Sequence, residues 1–207
     1  DTTGITLFKE GTAVERGMGE IDNKQYDNDG YIVGACCACV IYRKEMLDAL
    51  EYKGQYYSEI YFAFIEDLDL SVLSILLGWK TYYTYTSVGC HVRGGSTKKA
   101  SEFVQYLSVR NSEIFYLTLL SENKVFKNWH TLLKIIRFFK YYYINKKVYE
   151  NINSKEYLIN NRKEFFKTKL DYSYLEEFQL KSYLFVKVKI FIKKIISIIF
   201  ITPRFNQ

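Results

Sequence analysis

The sequence has little proline, little cysteine and no secretory signal. Proline occurs once in 207 residues, and 48% of the residues are hydrophobic against 25% charged. This composition excludes collagen-like repetition and extended disorder for the chain as a whole. The length allows one domain with or without a helical appendage, and it excludes two complete α/β domains. The chain begins at Asp1 and not at Met, so we expect it to be part of a longer protein.

Cysteine usage is typical of a reducing compartment. Cys36, Cys37 and Cys39 are clustered and Cys90 lies far along the chain, unlike a secreted disulfide framework, so we expect free thiols. Cys36 and Cys39 could form a zinc site with Cys90 and His91, but the adjacency of the second pair disfavours tetrahedral chelation. The alternative is that the cysteines are small side chains in a buried strand.

Charge is distributed unevenly along the chain. Residues 1–121 carry 11 basic and 16 acidic side chains, whereas residues 122–207 carry 18 basic and 7 acidic ones. An acidic part joined to a strongly basic part indicates a surface that meets phosphates, either of nucleic acid or of an anionic bilayer. We therefore predict a domain boundary near residue 121.

Apolar periodicity predicts alternating strands and helices in residues 1–121. The loop around Asp27–Gly30 is similar to a calcium loop, but the positions that require carboxylates fall on Gln25 and Cys36, which favours a plain turn. The predicted elements are an irregular segment over 1–30, a strand buried on both faces over 31–42, a helix over 43–50, an apolar strand over 61–64, a helix over 68–78, a strand over 79–88 and a helix over 101–120.

Two basic segments have the pattern of amphipathic helices. In 131–149, Leu132, Ile135 and Phe139 share one helical face while basic residues lie on another. The segment 184–201 holds 13 apolar residues and four lysines, and its longest uncharged run is too short to cross a bilayer. This composition favours helices that lie in the membrane interface. The alternative is that both helices pack on the rest of the protein.

An acidic cluster marks the start of the helix over 68–78. Glu66, Asp67 and Asp69 follow an apolar stretch, and open α/β sheets place their ligands where strands end. Neighbouring carboxylates raise one another's pKa, which suits a general base, while the positive helix end favours the ionised form. The alternative is an ordinary acidic helix N-terminus.

Several motifs follow one another along the first 120 residues. They are GACCACVIYRKEML at 34–47, YFAF at 61–64, EDLDL at 66–70, LGWK at 77–80, His91-x-x-Gly94-Gly95-Ser96 and Arg110-Asn111. Their order resembles the family 2 glycosyltransferases of GT-A fold, most closely the bacterial rhamnosyltransferase-like enzymes, over about residues 1–120. The resemblance implies an α/β fold in which 1–121 form the acceptor-side half of a GT-A (Rossmann-like) domain and 122–207 form a basic helical extension.

The resemblance implies roles for individual residues. Asp67 matches the catalytic base that deprotonates the acceptor hydroxyl in an inverting displacement, and Glu66 orients the loop or contacts the acceptor. His91 matches a ligand of a divalent metal, Mn²⁺ or Mg²⁺. The resemblance also implies a set of substrate-binding residues near the sugar, the acceptor or the phosphates: Gly34, Ala35, Asp69, Gly94, Gly95 and Ser96.

The implied function is sugar transfer from a nucleotide-sugar donor to a glycan or lipid-linked acceptor. The expected place is the cytoplasmic side of the cell membrane, with 131–149 and 184–201 on the membrane surface and no nucleic acid bound. The nucleotide-binding half, with its own Asp-x-Asp motif, is expected upstream of Asp1. The alternatives are a non-catalytic basic module that binds anionic lipid or nucleic acid, and an inactive remnant.

Overall fold

The structure is a computed structural model that describes residues 2–91, 102–140 and 142–189, without the side chains of 136–140 and 142–145. It is a mixed α/β structure in which helices predominate. The strands are β1 (Ile5–Leu7), β2 (Ala13–Glu15), β3 (Gly30–Ile32) and β4 (Thr81–Tyr83). The helices are α1 (Lys44–Leu50), α2 (Glu66–Leu76), α3 (Glu102–Phe115), a π-helical turn (Tyr116–Leu120), α4 (Lys124–Lys140), α5 (Tyr142–Ser154), α6 (Glu156–Lys167) and α7 (Ser173–Glu176), and residues 183–189 are also helical.

The strands form two small antiparallel sheets. β1 pairs with β2, and β3 pairs with β4 in the register Tyr31 opposite Tyr82. A single bridge from Ile5 to Gly34 connects the two sheets. The predicted mixed α/β class is confirmed, whereas the extended sheet of a Rossmann-like half-domain is not seen among the described residues.

α2 is the central helix of the molecule. All nine residues from Leu68 to Leu76 are buried, which is the pattern of a helix surrounded by other elements. α1 and α7 pack against it, and Gly78, with a φ of 86°, follows its end. The left-handed conformation of Gly78 is the usual way in which a glycine terminates a helix. The helix predicted over 68–78 is therefore confirmed and begins two residues earlier.

The basic segment packs on the same core as residues 1–121. Phe126 of α4, Val148 of α5 and Phe166 of α6 belong to one hydrophobic cluster with the buried side chains of α2. The Tyr172 hydroxyl donates a hydrogen bond of 2.5 Å to the carbonyl of Leu119. Residues on both sides of position 121 thus share one core. Among the described helices, none combines the length and the apolar character that a bilayer span requires.

Two buried carboxylates tie the basic segment to the rest of the molecule. Glu113 of α3 lies 3.0 Å from the Nε2 atom of His130 and 3.3 Å from the Nζ atom of Lys134. Burial alone would raise the pKa of Glu113, but the hydrogen bond and charge of His130, together with Lys134, outweigh it and lower the pKa. Glu10 accepts hydrogen bonds from the Ser182 hydroxyl and, at 2.8 Å, from the backbone N–H of Tyr183, which begins the last described helix.

The strand predicted over 31–42 is wrong except at its first residues. β3 ends at Ile32, and the chain then forms turns and irregular backbone up to α1. A strand buried on both faces needs neighbouring strands, and among the described residues β3 pairs with β4 alone. The apolar strand predicted over 61–64 is also wrong, because these residues form bends. The strand predicted over 79–88 is confirmed only at β4.

Gly34 lies where the chain passes closest to α2. The position that a Cβ atom would occupy at this glycine falls on the side chain of Ser71, so any larger residue would collide with the helix. Gly34 is buried and the adjacent Ala35 is half-buried. Packing on α2 explains the glycine without a ligand, and Gly34 therefore carries no argument for a sugar site.

All four cysteines are free, as predicted. Cys37, Cys39 and Cys90 are exposed and Cys36 is half-buried, so the alternative of small side chains in a buried strand is wrong. The cause is the early end of β3, which leaves the cysteine cluster in a surface turn closed by the hydrogen bond from Cys39 N–H to the Cys36 carbonyl.

Candidate functional site

The loop that leads into α2 is held by two neighbouring side chains of α3. The Asn111 amide nitrogen donates hydrogen bonds to the carbonyls of Tyr61, Ala63 and Phe64, at 3.0, 2.7 and 2.9 Å. Arg110 donates to the Tyr61 carbonyl at 2.5 Å and, through its Nε atom, to the Asn111 side chain at 2.8 Å. Both side chains are buried, so these bonds are made away from competing water.

This loop contains three non-glycine residues with left-handed backbone. The φ angles of Phe62, Phe64 and Ile65 are 66°, 69° and 76°. Each left-handed non-glycine residue costs on the order of 1–3 kcal/mol, and the conformation persists only where surrounding contacts hold it. Arg110 and Asn111 provide such contacts here. Such strain is concentrated at functional sites. The strained loop ends at Ile65, directly before Glu66 and Asp67.

A cleft of about 510 Å³ opens beside this loop. The ring of Phe62 is 78% exposed, and Glu59 adds a second carboxylate to that of Glu66. An aromatic face beside hydroxyl and carboxylate oxygens is a surface that can bind a neutral polar ligand. The residues that line the cleft are Tyr57, Ser58, Glu59, Tyr61, Phe62 and Glu66.

Glu66 is the carboxylate of the acidic cluster that reaches the cleft. Burial, with the adjacent charge of Asp67 adding to it, raises the pKa of Glu66 above its usual range. One of its carboxylate oxygens, Oε2, is buried and has no hydrogen-bond partner among the described residues. The prediction that the crowded carboxylates raise a pKa is confirmed for Glu66, with burial as the larger cause. A carboxylate of this kind accepts a proton more readily than an exposed one.

Asp67 lies on the neighbouring side of the same helix start. Its Oδ1 atom accepts a hydrogen bond of 2.8 Å from the backbone N–H of Leu68. Burial, with the charge of Asp67 adding to it, raises the pKa of the half-buried Cys36 thiol. The charge of Asp67 also reaches Tyr57 of the cleft. Asp67 itself is half-buried and is not among the cleft-lining residues.

A thiol and two phenols adjoin the cleft. The Cys37 Sγ atom lies 3.3 Å from the hydroxyl of Tyr57 and 3.6 Å from that of Tyr42. Burial, with the hydrogen bond to Cys37, raises the pKa of Tyr57 to about 12 and also raises that of Tyr42. Both phenols therefore stay protonated at neutral pH, and Tyr57 can act there as a neutral hydrogen-bonding group.

Asp69 is separated from the cleft. Its side chain is buried and both of its oxygens are engaged, Oδ1 by the Tyr61 hydroxyl at 2.7 Å and Oδ2 by Nη2 of Arg162 at 2.5 Å. A second bond of 3.0 Å from Arg162 Nη1 to Oδ1 makes the ion pair bidentate. The structure therefore assigns Asp69 to the core, and we do not retain it as a substrate-binding residue.

The other residues of the predicted metal and phosphate site are only partly described. His91 is exposed and is not among the cleft-lining residues, whereas Gly94, Gly95 and Ser96 lie outside the described residues. Within 2–91, 102–140 and 142–189, no three His, Cys, Asp or Glu side chains are grouped so as to hold a metal ion. A divalent metal stays a prediction based on the resemblance.

The structure brings together residues that the sequence analysis did not assign to the site. Tyr57, Glu59 and Phe62 line the cleft with Glu66, and Asn111 determines the loop that carries Phe62. The signal in the sequence is the aromatic density of YYSEIYFAF at 56–64, which by itself does not distinguish the exposed Phe62 from the buried Tyr61. Comparison of the chain with protein-family models, curated proteins and solved structures finds no match.

Proposed function

We propose that this chain is part of an inverting glycosyltransferase whose acceptor hydroxyl is deprotonated at the start of α2. The observation that supports it best is the pair Glu66 and Asp67, which follows a strained, clamped loop and adjoins a cleft lined by tyrosine and phenylalanine. In this proposal the sugar passes from a nucleotide-sugar to a glycan or a lipid-linked acceptor at the cytoplasmic face of the membrane.

The chemistry of the cleft suits a neutral hydroxylated ligand better than an anion. Its two carboxylates, Glu59 and Glu66, would repel a phosphate, and the only charged side chains among its lining residues are acidic. Sugar hydroxyls can donate hydrogen bonds to carboxylate oxygens, and the exposed ring of Phe62 offers an apolar face for a pyranose. We therefore propose that the cleft holds the acceptor.

The role of Asp67 is carried over from the resemblance, and that of Glu66 follows from its place in the lining of the cleft. Asp67 is the proposed base, which takes the proton of the acceptor hydroxyl. The acceptor oxygen attacks the anomeric carbon as the nucleotide diphosphate departs. Glu66, with its raised pKa and its place among the cleft-lining residues, binds an acceptor hydroxyl beside the reacting one. A positioned base contributes about 10²- to 10⁴-fold to the rate.

Transfer of labelled sugar from a panel of nucleotide-sugars tests the proposal, with the protein produced from its complete coding sequence. Asp67→Asn is expected to lower kcat by about 10²- to 10⁴-fold with little change in KM, and Glu66→Gln to raise the KM of the acceptor. The matched control is Asp48→Asn on α1, an exposed carboxylate paired with Lys44, which should transfer at the normal rate.

Two results would contradict the proposal. An Asp67→Asn protein that transfers sugar at the normal rate would exclude Asp67 as the base. The absence of nucleotide diphosphate release with every donor, from a protein that is folded by circular dichroism, would exclude sugar transfer itself.

A further inference from the structure

An exposed apolar surface is shared by two elements of the basic segment. Val125 and Leu132 of α4 are 51% and 44% exposed, and Phe185 and Val188 of the helix over 183–189 are 68% and 54% exposed. The rings of Trp129 and Phe185 meet edge-on with 6.0 Å between their centroids, which joins the two elements. We call these five residues the α4 outer face.

Within the described residues, this face takes no part in the hydrophobic core. Val125, Trp129 and Leu132 are spaced four and three residues apart and so lie on one side of α4. Phe126 and Leu133 project from another side of the same helix and are buried in the molecule. α4 therefore has two apolar sides, and only one of them is needed for the core. A contiguous exposed apolar surface of this kind marks an interaction site.

Positive charge predominates around the α4 outer face along the chain, with Glu122, which is paired with Lys163, directly before it. No acidic residue occurs in 123–149 or in 178–207, whereas these stretches hold seven and six lysine or arginine residues. Among them Lys124, Lys127, Lys187 and Lys189 are exposed. The partner that complements an apolar centre with a predominantly basic border is a surface that offers both hydrocarbon and negative charge.

We propose that the α4 outer face docks on an anionic lipid bilayer. The rings of Trp129 and Phe185 enter the interface, where large aromatic side chains are favoured, and the lysines beside them meet lipid phosphates. A second copy of the chain would bring a second basic border against the first, and that repulsion disfavours self-association. Single-stranded nucleic acid would leave the aliphatic part of the face in water.

This face differs from the one that the sequence predicts over 131–149. Leu133 and Val148 of the predicted segment are buried in the molecule. The face instead includes Val125 and Trp129, which precede the predicted segment, and combines them with Phe185. The inference does not depend on the proposed sugar transfer.

Sedimentation with lipid vesicles tests the inference on the full chain. We expect binding to vesicles of equal parts phosphatidylglycerol and phosphatidylcholine, and little binding to pure phosphatidylcholine. Phe185→Glu and Leu132→Glu change exposed side chains, so the fold should persist, and each should weaken binding by about tenfold or more. The matched control is Tyr157→Glu on α6, an aromatic residue that is 75% exposed and lies outside the face.

Three outcomes would overturn the inference. The first is that both glutamate variants bind anionic vesicles as tightly as the unmodified chain. The second is equal binding to the two kinds of vesicle. The third is that something other than lipid occupies the α4 outer face. This would be shown by a dimer in light scattering that Phe185→Glu dissociates, or by a single-stranded oligonucleotide whose binding Phe185→Glu abolishes. Vesicle sedimentation needs no sugar donor, so its failure is distinguishable from a failure of the proposed transfer activity.

Discussion

The carboxylates at the start of α2 have opposite environments, although they lie within four residues of one another. Asp69 is buried and bonded on both oxygens by Arg162 and Tyr61. Glu66 adjoins the cleft, has a buried oxygen without a partner among the described residues, and has a raised pKa. The same acidic cluster thus contains one carboxylate that is paired in the core and one that borders the cleft.

The other buried acids resemble Asp69. Glu113 is bonded to His130 and Lys134, and Glu10 accepts hydrogen bonds from Ser182 and the backbone of Tyr183. The fold therefore supplies partners to acids that it encloses, as the high cost of an unpaired buried charge requires. Against that background, the unpartnered oxygen of Glu66 is informative, because a perturbed acid in a cleft indicates a functional site.

The largest effect is expected from removing the charge of Asp69. Asp69→Asn leaves Arg162 buried without a counter-charge, and the free energy of unfolding should fall by about 3–5 kcal/mol. Urea denaturation followed by circular dichroism measures it. The double variant Asp69→Leu with Arg162→Met removes both charges and should recover most of the loss. A loss below about 1 kcal/mol in Asp69→Asn would show that the pair is exposed to solvent in solution.

A smaller loss of stability is expected when the hydrogen bonds that Asn111 donates to the strained loop are removed. Asn111→Ala leaves the carbonyls of Tyr61, Ala63 and Phe64 without the amide donor, which should cost about 2–3 kcal/mol. Hydrogen exchange of residues 60–65 should accelerate more than that of α2. The neighbouring variant Ser112→Ala, which loses only a bond to the Ser108 carbonyl within α3, serves as the control. Equal exchange rates of residues 60–65 in the two variants would contradict the role of Asn111 in holding the loop.

The smallest expected effect is a gain in stability when Glu66 is neutralised. The sign of this effect should be opposite for a buried acid that has bonding partners. Folding raises the pKa of Glu66, so its ionisation costs stability as the pH rises through the folded-state pKa. Glu66→Gln should therefore raise Tm at neutral pH, and the difference should vanish well below the ordinary pKa of 4.5.

Glu113 provides the opposite case for the same measurement. Its lowered pKa contributes stability above the unfolded-state pKa, and this contribution is lost as the pH falls through the folded-state pKa. Glu113→Gln should therefore lower Tm at neutral pH, and the difference should shrink in acid. Shifts of the same sign in Glu66→Gln and Glu113→Gln would contradict the contrast between the two environments.

Local patterns in the sequence predicted three helices and the acidic start of α2. The helices over 43–50, 68–78 and 101–120 are confirmed, as are the free thiols and the acidic start of α2. The strand over 31–42 failed because a buried strand depends on neighbours that composition does not reveal. The role of Asp69 failed for a similar reason, since its partner Arg162 lies 93 residues further along the chain.

The sequence by itself determined that a helix follows the acidic cluster, and that residues 122–207 are strongly basic, because these properties depend on residues close together in the chain. Only the tertiary structure decided which acid is enclosed, which reaches the cleft, and which side of α4 stays exposed. Those outcomes depend on partners supplied from distant parts of the chain, and burial makes the choice of partner a matter of several kcal/mol.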